Sequence, residues 1–218
     1  MLLSFDVAEK AISEHDDWHT HEHLAERLSI PGFLRGTRWV AVRGEPRYLV
    51  LYEVAELGTL SSAAYLERLN NPSPWTSRMM PHYRGMNRGF CSVTGSFGLG
   101  AGHAAALVRF KPAPDAAESL RNWLLRDALP ELPSKPGVGS VHLLEGAATP
   151  QMTSEQRIRG ADKGVDCALL LTAYREEALA ELVRDLVGPS HLERRGAVDV
   201  LHATYRLDYS LSHFEVNA

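Results

Sequence analysis

The sequence predicts an α+β fold in which one β-α-β-β-α-β unit is written twice, its two four-stranded sheets meeting face to face or closing into a barrel. Three observations point there. The chain matches itself at an offset of 105 residues, and the elements of its two halves fall in the same order. The strand centres LVLY (49–52), AALV (105–108) and CALLL (167–171) are nearly continuous apolar runs, so both faces of each sheet need cover. Helices cover one face; the other half's sheet is the economical cover for the second.

At the offset of 105, Trp18 falls on Trp123, Glu22 on Asp127, Leu24 on Leu129, Pro31 on Pro136 and Gly32 on Gly137. Further along the offset becomes 117, matching 48–54 to 165–171 and Pro72-Ser73 to Pro189-Ser190. The difference between 117 and 105 places 12 extra residues in the second half, and the polar stretch 147–162 is where they are expected.

Each element has a local reason. A short apolar strand, 2–7, precedes a helix at 14–28 whose wheel, at 100° per residue, gathers Trp18, Leu24, Ala25 and Leu28 into a stripe. The Pro31-Gly32 turn leads into a strand at 34–43, and Gly44-Glu45-Pro46 turns it into another at 47–55. A helix at 61–69 and a strand at 88–97 complete the half. The second half repeats the order with 103–110, 116–132, 138–145, 165–174, 177–187 and 198–209. This is the split-βαβ or ferredoxin-like unit in tandem. The glycine-rich run from Gly95 to Gly102 departs from both GxGxxG and the P-loop. It reads as a linker, giving a first repeat at 1–98, a linker at 99–102 and a second repeat at 103–218 with its insertion.

Composition narrows the function. With 44% hydrophobic and 23% charged residues the chain is ordinary globular protein, and a net charge of −4 offers no basic excess to nucleic acid. No run approaches the roughly 18 apolar residues of a membrane span, and the opening lacks a signal-peptide pattern, so a cytoplasmic location without membrane contact is expected. Cys91 and Cys167 lack zinc or CxxC spacing and read as reduced core thiols.

His15, His19, His21 and His23 crowd nine residues of the first helix. Three readings are open. An imidazole at the edge of an apolar pocket serves as general acid or base near neutral pH; the wheel places His21 inside the apolar stripe, with Arg126 at the matching place in the second half. The letters HxxEH, and His15, His19 and His23 at spacings of four, also fit a metal helix, but no downstream partner ligand is recognisable and no metal is expected. For any single one, a solvated or hydrogen-bonded histidine is the plainer account. The second half has Leu124 and Ala128 where the first has His19 and His23, so a histidine site belongs to the first half alone.

Ser73-Pro74 reads as a helix start, and Arg78, His82, Arg84 and Arg88 beyond it as a group suited to a carboxylate or phenolate, or simply as a basic loop. Trp39, Tyr48, Tyr52 and Tyr65 are candidates to line an aromatic-accepting pocket, though large aromatics are ordinary core filler.

The run Trp18, Glu22-His23-Leu24, Pro31-Gly32-Phe33, Arg38, Tyr48-Leu49 and Tyr52-Glu53 resembles the dimeric α/β-barrel superfamily, in particular EthD-like and related proteins with two fused ferredoxin-like repeats. The resemblance covers residues 14 to 56. It implies a dimeric-type α/β barrel, a site between the first helix and the sheet, and His23 as its acid/base position. The superfamily spans cofactor-free monooxygenases, cyclases, isomerases and haem proteins, so it implies fold better than reaction. The expected function is a small-molecule enzyme, a cofactor-independent oxygenase, isomerase or cyclase on an aromatic or polyketide-like compound. His23 or His21 would be acid/base, Arg78 the anion partner, and Trp39, Tyr52 and His19 further substrate contacts. No cofactor is called for, and a homodimer through strand edges is expected. The alternatives are a non-catalytic small-ligand-binding or stress-associated protein, and a haem-binding protein.

Overall fold

The computed structural model describes residues 1–148 and 153–217. β1 (Leu2–Val7) leads to a long helical segment made of α1 (Ile12–Trp18), a π-helical turn (His19–His23) and α2 (Leu24–Leu28). β2 (Phe33–Arg43) and β3 (Tyr48–Val54) follow, then α3 (Ala63–Asn70), α4 (Pro74–Met79) and β4 (Tyr83–Gly98). Ser73 caps α4 as expected, its hydroxyl accepting from Thr76 N–H at 2.9 Å. The second half runs β5 (Ala104–Pro112), α5 (Ala117–Trp123) with a π-helical turn (Leu124–Ala128), and β6 (Val138–Ala147). It continues through α6 (Ser154–Arg159), β7 (Cys167–Ala173), α7 (Glu176–Leu182), α8 (Pro189–Glu193), β8 (Ala197–Ser212) and α9 (His213–Val216).

The eight strands close into one antiparallel barrel in the order β1-β3-β2-β8-β5-β7-β6-β4. The first half contributes β4-β1-β3-β2 and the second β8-β5-β7-β6, joined at the β2–β8 and β4–β6 seams. Among the described residues closure leaves no strand edge, so the edge pairing expected to support a homodimer has no strand to use there.

Strand alternation sorts the side chains. Leu2, Trp39, Leu49, Leu107, Leu170 and Tyr205 fill the barrel interior. Their neighbours in sequence, such as Val50 and Tyr52, pack outward under the first half's helices, while Val108, Leu169 and Leu171 do so under the second's. The continuous apolar strand centres thus have cover on both faces.

Register refines the sequence offsets. Phe33 lies opposite Val54, and Val138 opposite Ala173, so equivalent strands are offset by 105 at β2 and 119 at β3. The second-half connection is therefore longer by the difference between 119 and 105, 14 residues rather than 12. Within the expected insertion 147–162, residues 149–152 lie outside the described residues; the rest is not a plain loop but carries α6. Gly32 and Gly137, at φ +91° and +97°, hold the matching left-handed turns before β2 and β6. Cys167 is buried and Cys91 half-buried, and both are free thiols whose burial raises their pKa. Among the described residues no helix is long and apolar enough to cross a membrane.

Candidate functional site

The π-helical turn decides which histidines face the sheet. Its i→i+5 hydrogen bonding puts an extra residue into the turn and slips the helix face relative to a uniform wheel. His15, His19 and His23 are buried at 0, 2 and 7% exposure, with Arg27 completing the row at 2%. His21, expected in the apolar stripe, is exposed instead and hydrogen-bonds the Asp17 carbonyl at 2.9 Å. Arg126, its second-half counterpart, is exposed too.

His15 anchors a buried hydrogen-bonded line. Its Nδ1 meets Asp16 Oδ1 at 3.1 Å and its Nε2 meets the Tyr83 hydroxyl at 3.3 Å. A carboxylate only accepts, so Nδ1 carries the proton and Nε2 accepts from Tyr83. Asp16 also accepts from the Tyr48 hydroxyl at 2.7 Å. Burial works to raise the Asp16 pKa, but the hydrogen bonds from His15 and Tyr48 hold it below the usual value. Arg38 on β2 fixes this helix to the barrel, donating to Asp208 at 2.6 Å, to the Asp16 carbonyl at 3.1 Å and to the Thr20 hydroxyl at 3.0 Å.

Between this helix and β1, β3 and β4 lies a cavity of about 30 Å³ lined by His19, His23, Arg27, Tyr52, Tyr83 and Arg88 among others. That is room for about two waters. His19 Nδ1, His23 Nδ1 and the Tyr52 hydroxyl are buried there without a hydrogen-bond partner. Such groups cost about 1–3 kcal/mol each when left unpaired, so a ligand that pairs them gains by it. Burial drives His19 and His23 well below the ordinary histidine value and Tyr52 and Tyr83 above the tyrosine one, so the imidazoles are neutral and the phenols protonated.

The second half supplies the roof. Glu155 on α6 accepts a short hydrogen bond from Arg27, whose other nitrogen donates to Glu26 at 3.0 Å. Arg159 donates to Asp162 at 2.7 Å, and Asp162 faces Arg88 at 3.5 Å. The Arg159 guanidinium stands 5.8 Å over the Tyr83 ring. On the far side of Tyr83 and Arg159 an outer basin of about 100 Å³ is lined by Arg84 and Lys163.

Of the residues singled out from sequence, His19, His23, Tyr52, Tyr65 and Arg88 come together at the cavity. Trp39 does not: it faces the barrel interior, on the opposite side of the sheet. Arg78 sits exposed on α4, 3.8 Å from Glu14, because its helix turns it to solvent. The His15 and His19 rings stack at 5.4 Å, His23 is tilted against His19 at 5.6 Å, and both His15 nitrogens are taken, which leaves His15 none for a metal. A haem, like any aromatic substrate, exceeds the space beneath α6 as it stands.

Arg27, Tyr83, Glu155 and Arg159 were not singled out from sequence. A signal existed for the first. At the offset of 105, His15, His19, His23 and Arg27 fall on Leu120, Leu124, Ala128 and Leu132, three of them core leucines and the alanine packed against them. Four core positions of one half are polar in the other.

No family model matches the sequence, and a search of curated proteins finds no match. Solved structures do match in shape. An anthrone oxidase-like protein superposes with a TM-score of 0.66 at 11% identity, covering 97% of this chain and 91% of that one. A protein provisionally named a monooxygenase from Fusobacterium nucleatum subsp. nucleatum gives 0.57 at 8% identity, covering 97% and 92%. Another so named, from Lactobacillus acidophilus NCFM, gives 0.55 at 13%, covering 97% and 94%. Identities this low speak to architecture alone: the chain has the dimeric α/β-barrel fold, its eight-stranded barrel closed within one polypeptide.

Proposed function

We propose that the chain is an oxygenase-type enzyme that acts on an aromatic or polyketide-like small molecule in the cavity of its first half. One observation carries the reading. A helix row that is leucine and alanine in the second half is His15, His19, His23 and Arg27 in the first, beside a partly enclosed cavity. Polar groups at core positions cost stability unless they are paired, and a cost of that kind marks a functional site.

The chemistry follows from the groups. A neutral His23 removes a proton from an acidic methylene or hydroxyl of the substrate, and the resulting anion is held by Arg27, in the role expected of Arg78. Dioxygen then takes electrons from that anion; a methylene becomes a carbonyl, and the second oxygen atom leaves as water with the two hydrogens. Isomerisation and cyclisation share the proton-removal step. The anthrone oxidase-like neighbour supports an oxygenation of this type. His19 and Tyr52 offer the remaining polar contacts, and His21, being exposed, has no part.

The test is oxygen uptake with anthrone and hydroxylated aromatic ketones, alongside the spectrum of the product. His23→Ala is expected to lower turnover by about 100-fold. No uptake above the spontaneous rate across the panel, or full activity in both His23→Ala and His19→Ala, removes the reading. The closed roof favours a second reading, a protein that sequesters its ligand unchanged; binding without uptake is its signature.

The equal strand orders and the matched glycine turns support tandem ferredoxin-like copies, 1–98 and 103–218, joined by 99–102. Trp18, Glu22-His23-Leu24 and Pro31-Gly32-Phe33 keep EthD-like proteins the favoured relatives. A cytoplasmic homodimer stays part of this reading, with its contact through helices or loops.

A further inference from the structure

We propose that the cavity is an anion site held shut by its own chain: the Glu155 carboxylate occupies Arg27 in the place that the carboxylate of an aromatic ligand takes once α6 is displaced. The inference rests on reading the cavity as the ligand site. Its size requires a displacement, since about 30 Å³ admits nothing larger than a few atoms. The charges then decide what can enter. Arg27 and Arg88 are each nearly enclosed, and α6 with the residues after it brings two carboxylates, Glu155 and Asp162, against them, along with the segment's own Arg159, which pairs with both. Moving that segment away leaves Arg27 with Glu26 alone and takes from Arg88 the Asp162 carboxylate. A buried cation stripped of its partner is strongly unfavourable; a neutral ligand offsets the opening only by its apolar and hydrogen-bonding contacts, whereas a carboxylate also restores the charge partner that α6 removed.

Two further features fit the same ligand. The unpartnered Nδ1 atoms of His19 and His23 and the Tyr52 hydroxyl are available to its neutral oxygens. The outer basin, with Arg84 and Lys163 at its wall, gives an anion a positive approach to the partition formed by Tyr83 and Arg159.

The probe is anthracene-9-carboxylate, with benzoate and 2-naphthoate as smaller carboxylates and anthracene-9-methanol as the neutral control, measured by fluorescence and calorimetry. Glu155→Gln keeps the shape of the roof and removes the competing charge. It is expected to tighten binding of the carboxylates about tenfold, because the closed state loses its charge pair. Arg27→Met is expected to abolish the preference for carboxylate over alcohol. In the unaltered protein, saturating anthracene-9-carboxylate is expected to speed hydrogen exchange of the α6 amides and of no other helix, which decides the matter even if a variant fails to fold. Unchanged or weaker carboxylate binding in folded Glu155→Gln, or α6 exchange that does not rise with the carboxylate, overturns the proposal. Both readouts are independent of turnover. Carboxylate binding at Arg27 in a protein that consumes no oxygen sustains this inference while removing the oxygenase reading.

Discussion

The Tyr83 hydroxyl lies 3.3 Å from His15 Nε2, and both residues are buried. Through His15 the bond joins the wall of the cavity to Asp16, whose side chain is 34% exposed. A hydrogen-bonded line therefore leads from Tyr83, at the cavity wall, toward solvent. Tyr83→Phe breaks the line at its inner end and leaves His15 Nε2 without a donor. The expected loss is about 1–2 kcal/mol of stability in urea denaturation, and an unchanged midpoint and slope would mean that the bond does not form.

Acid should weaken the fold. His15, His19 and His23 have pKa values lowered by burial, so the unfolded chain binds protons that the folded one refuses. Their contribution to stability is complete above the ordinary value of 6.5. It is lost as the pH falls from there toward the folded-state values, by up to about 1.4 kcal/mol per pH unit for each group. Denaturation midpoints at pH 7.5 and 5.0 measure this, and replacing His19 and His23 with Gln together should flatten the dependence. A stability curve that is level or rising on acidification contradicts the burial of these imidazoles.

Two aromatic residues on neighbouring strands but on opposite sides of the sheet should separate stability from binding. Trp39→Phe, inside the barrel, is expected to cost about 1–2 kcal/mol and leave anthracene-9-carboxylate affinity unchanged. Tyr52→Phe removes an unpaired buried hydroxyl, so it should stabilise slightly or be neutral while weakening the ligand. If Trp39→Phe weakened binding as much as Tyr52→Phe does, the ligand would lie within the barrel instead.

Arg78→Ala provides the surface control. Its side chain is 62% exposed and meets Glu14 at 3.8 Å, so stability should shift by less than about 0.5 kcal/mol. Carboxylate affinity should not change; a tenfold loss would restore Arg78 as the anion partner.

Gly32→Ala tests the turn before β2. The residue stands at φ +91°, and an added Cβ would meet the Thr59 hydroxyl at 2.6 Å. A loss of about 1–3 kcal/mol in thermal or urea denaturation is expected; a loss below that range would show that the turn relaxes to accept a side chain.

Much of the barrel was readable because strand burial writes itself into sequence with a short period. The apolar centre 49–52 and the Pro31-Gly32 turn place their strands within a residue or two of the structure. The orientation of the first helix was not readable in the same way. A π-helical turn has no residue signature, so the uniform wheel put His21 inward and His23 on a neighbouring face, the reverse of their burial. The comparison of His15, His19, His23 and Arg27 with Leu120, Leu124, Ala128 and Leu132 carried the correct orientation all along, since a leucine row marks the core face whatever the pitch. α6 was beyond reach for another reason. Its six residues look polar and loop-like because Arg27, the partner of Glu155, is far away in the chain, as is Arg88, the partner of Asp162 just beyond the helix. Tertiary ion pairs, which no local pattern encodes, position it.

The two seams that close the barrel, β2–β8 and β4–β6, each join strands of the same polypeptide. Assembly of the ring is thus a first-order event, and dilution has no power to open it. A barrel built from two separate half-length chains would come apart at low concentration and would carry the same residues in both halves. Covalent linkage lifts both constraints. One half is free to spend core positions on imidazoles and a guanidinium, while its partner, kept permanently at hand, supplies the leucines that hold the ring together.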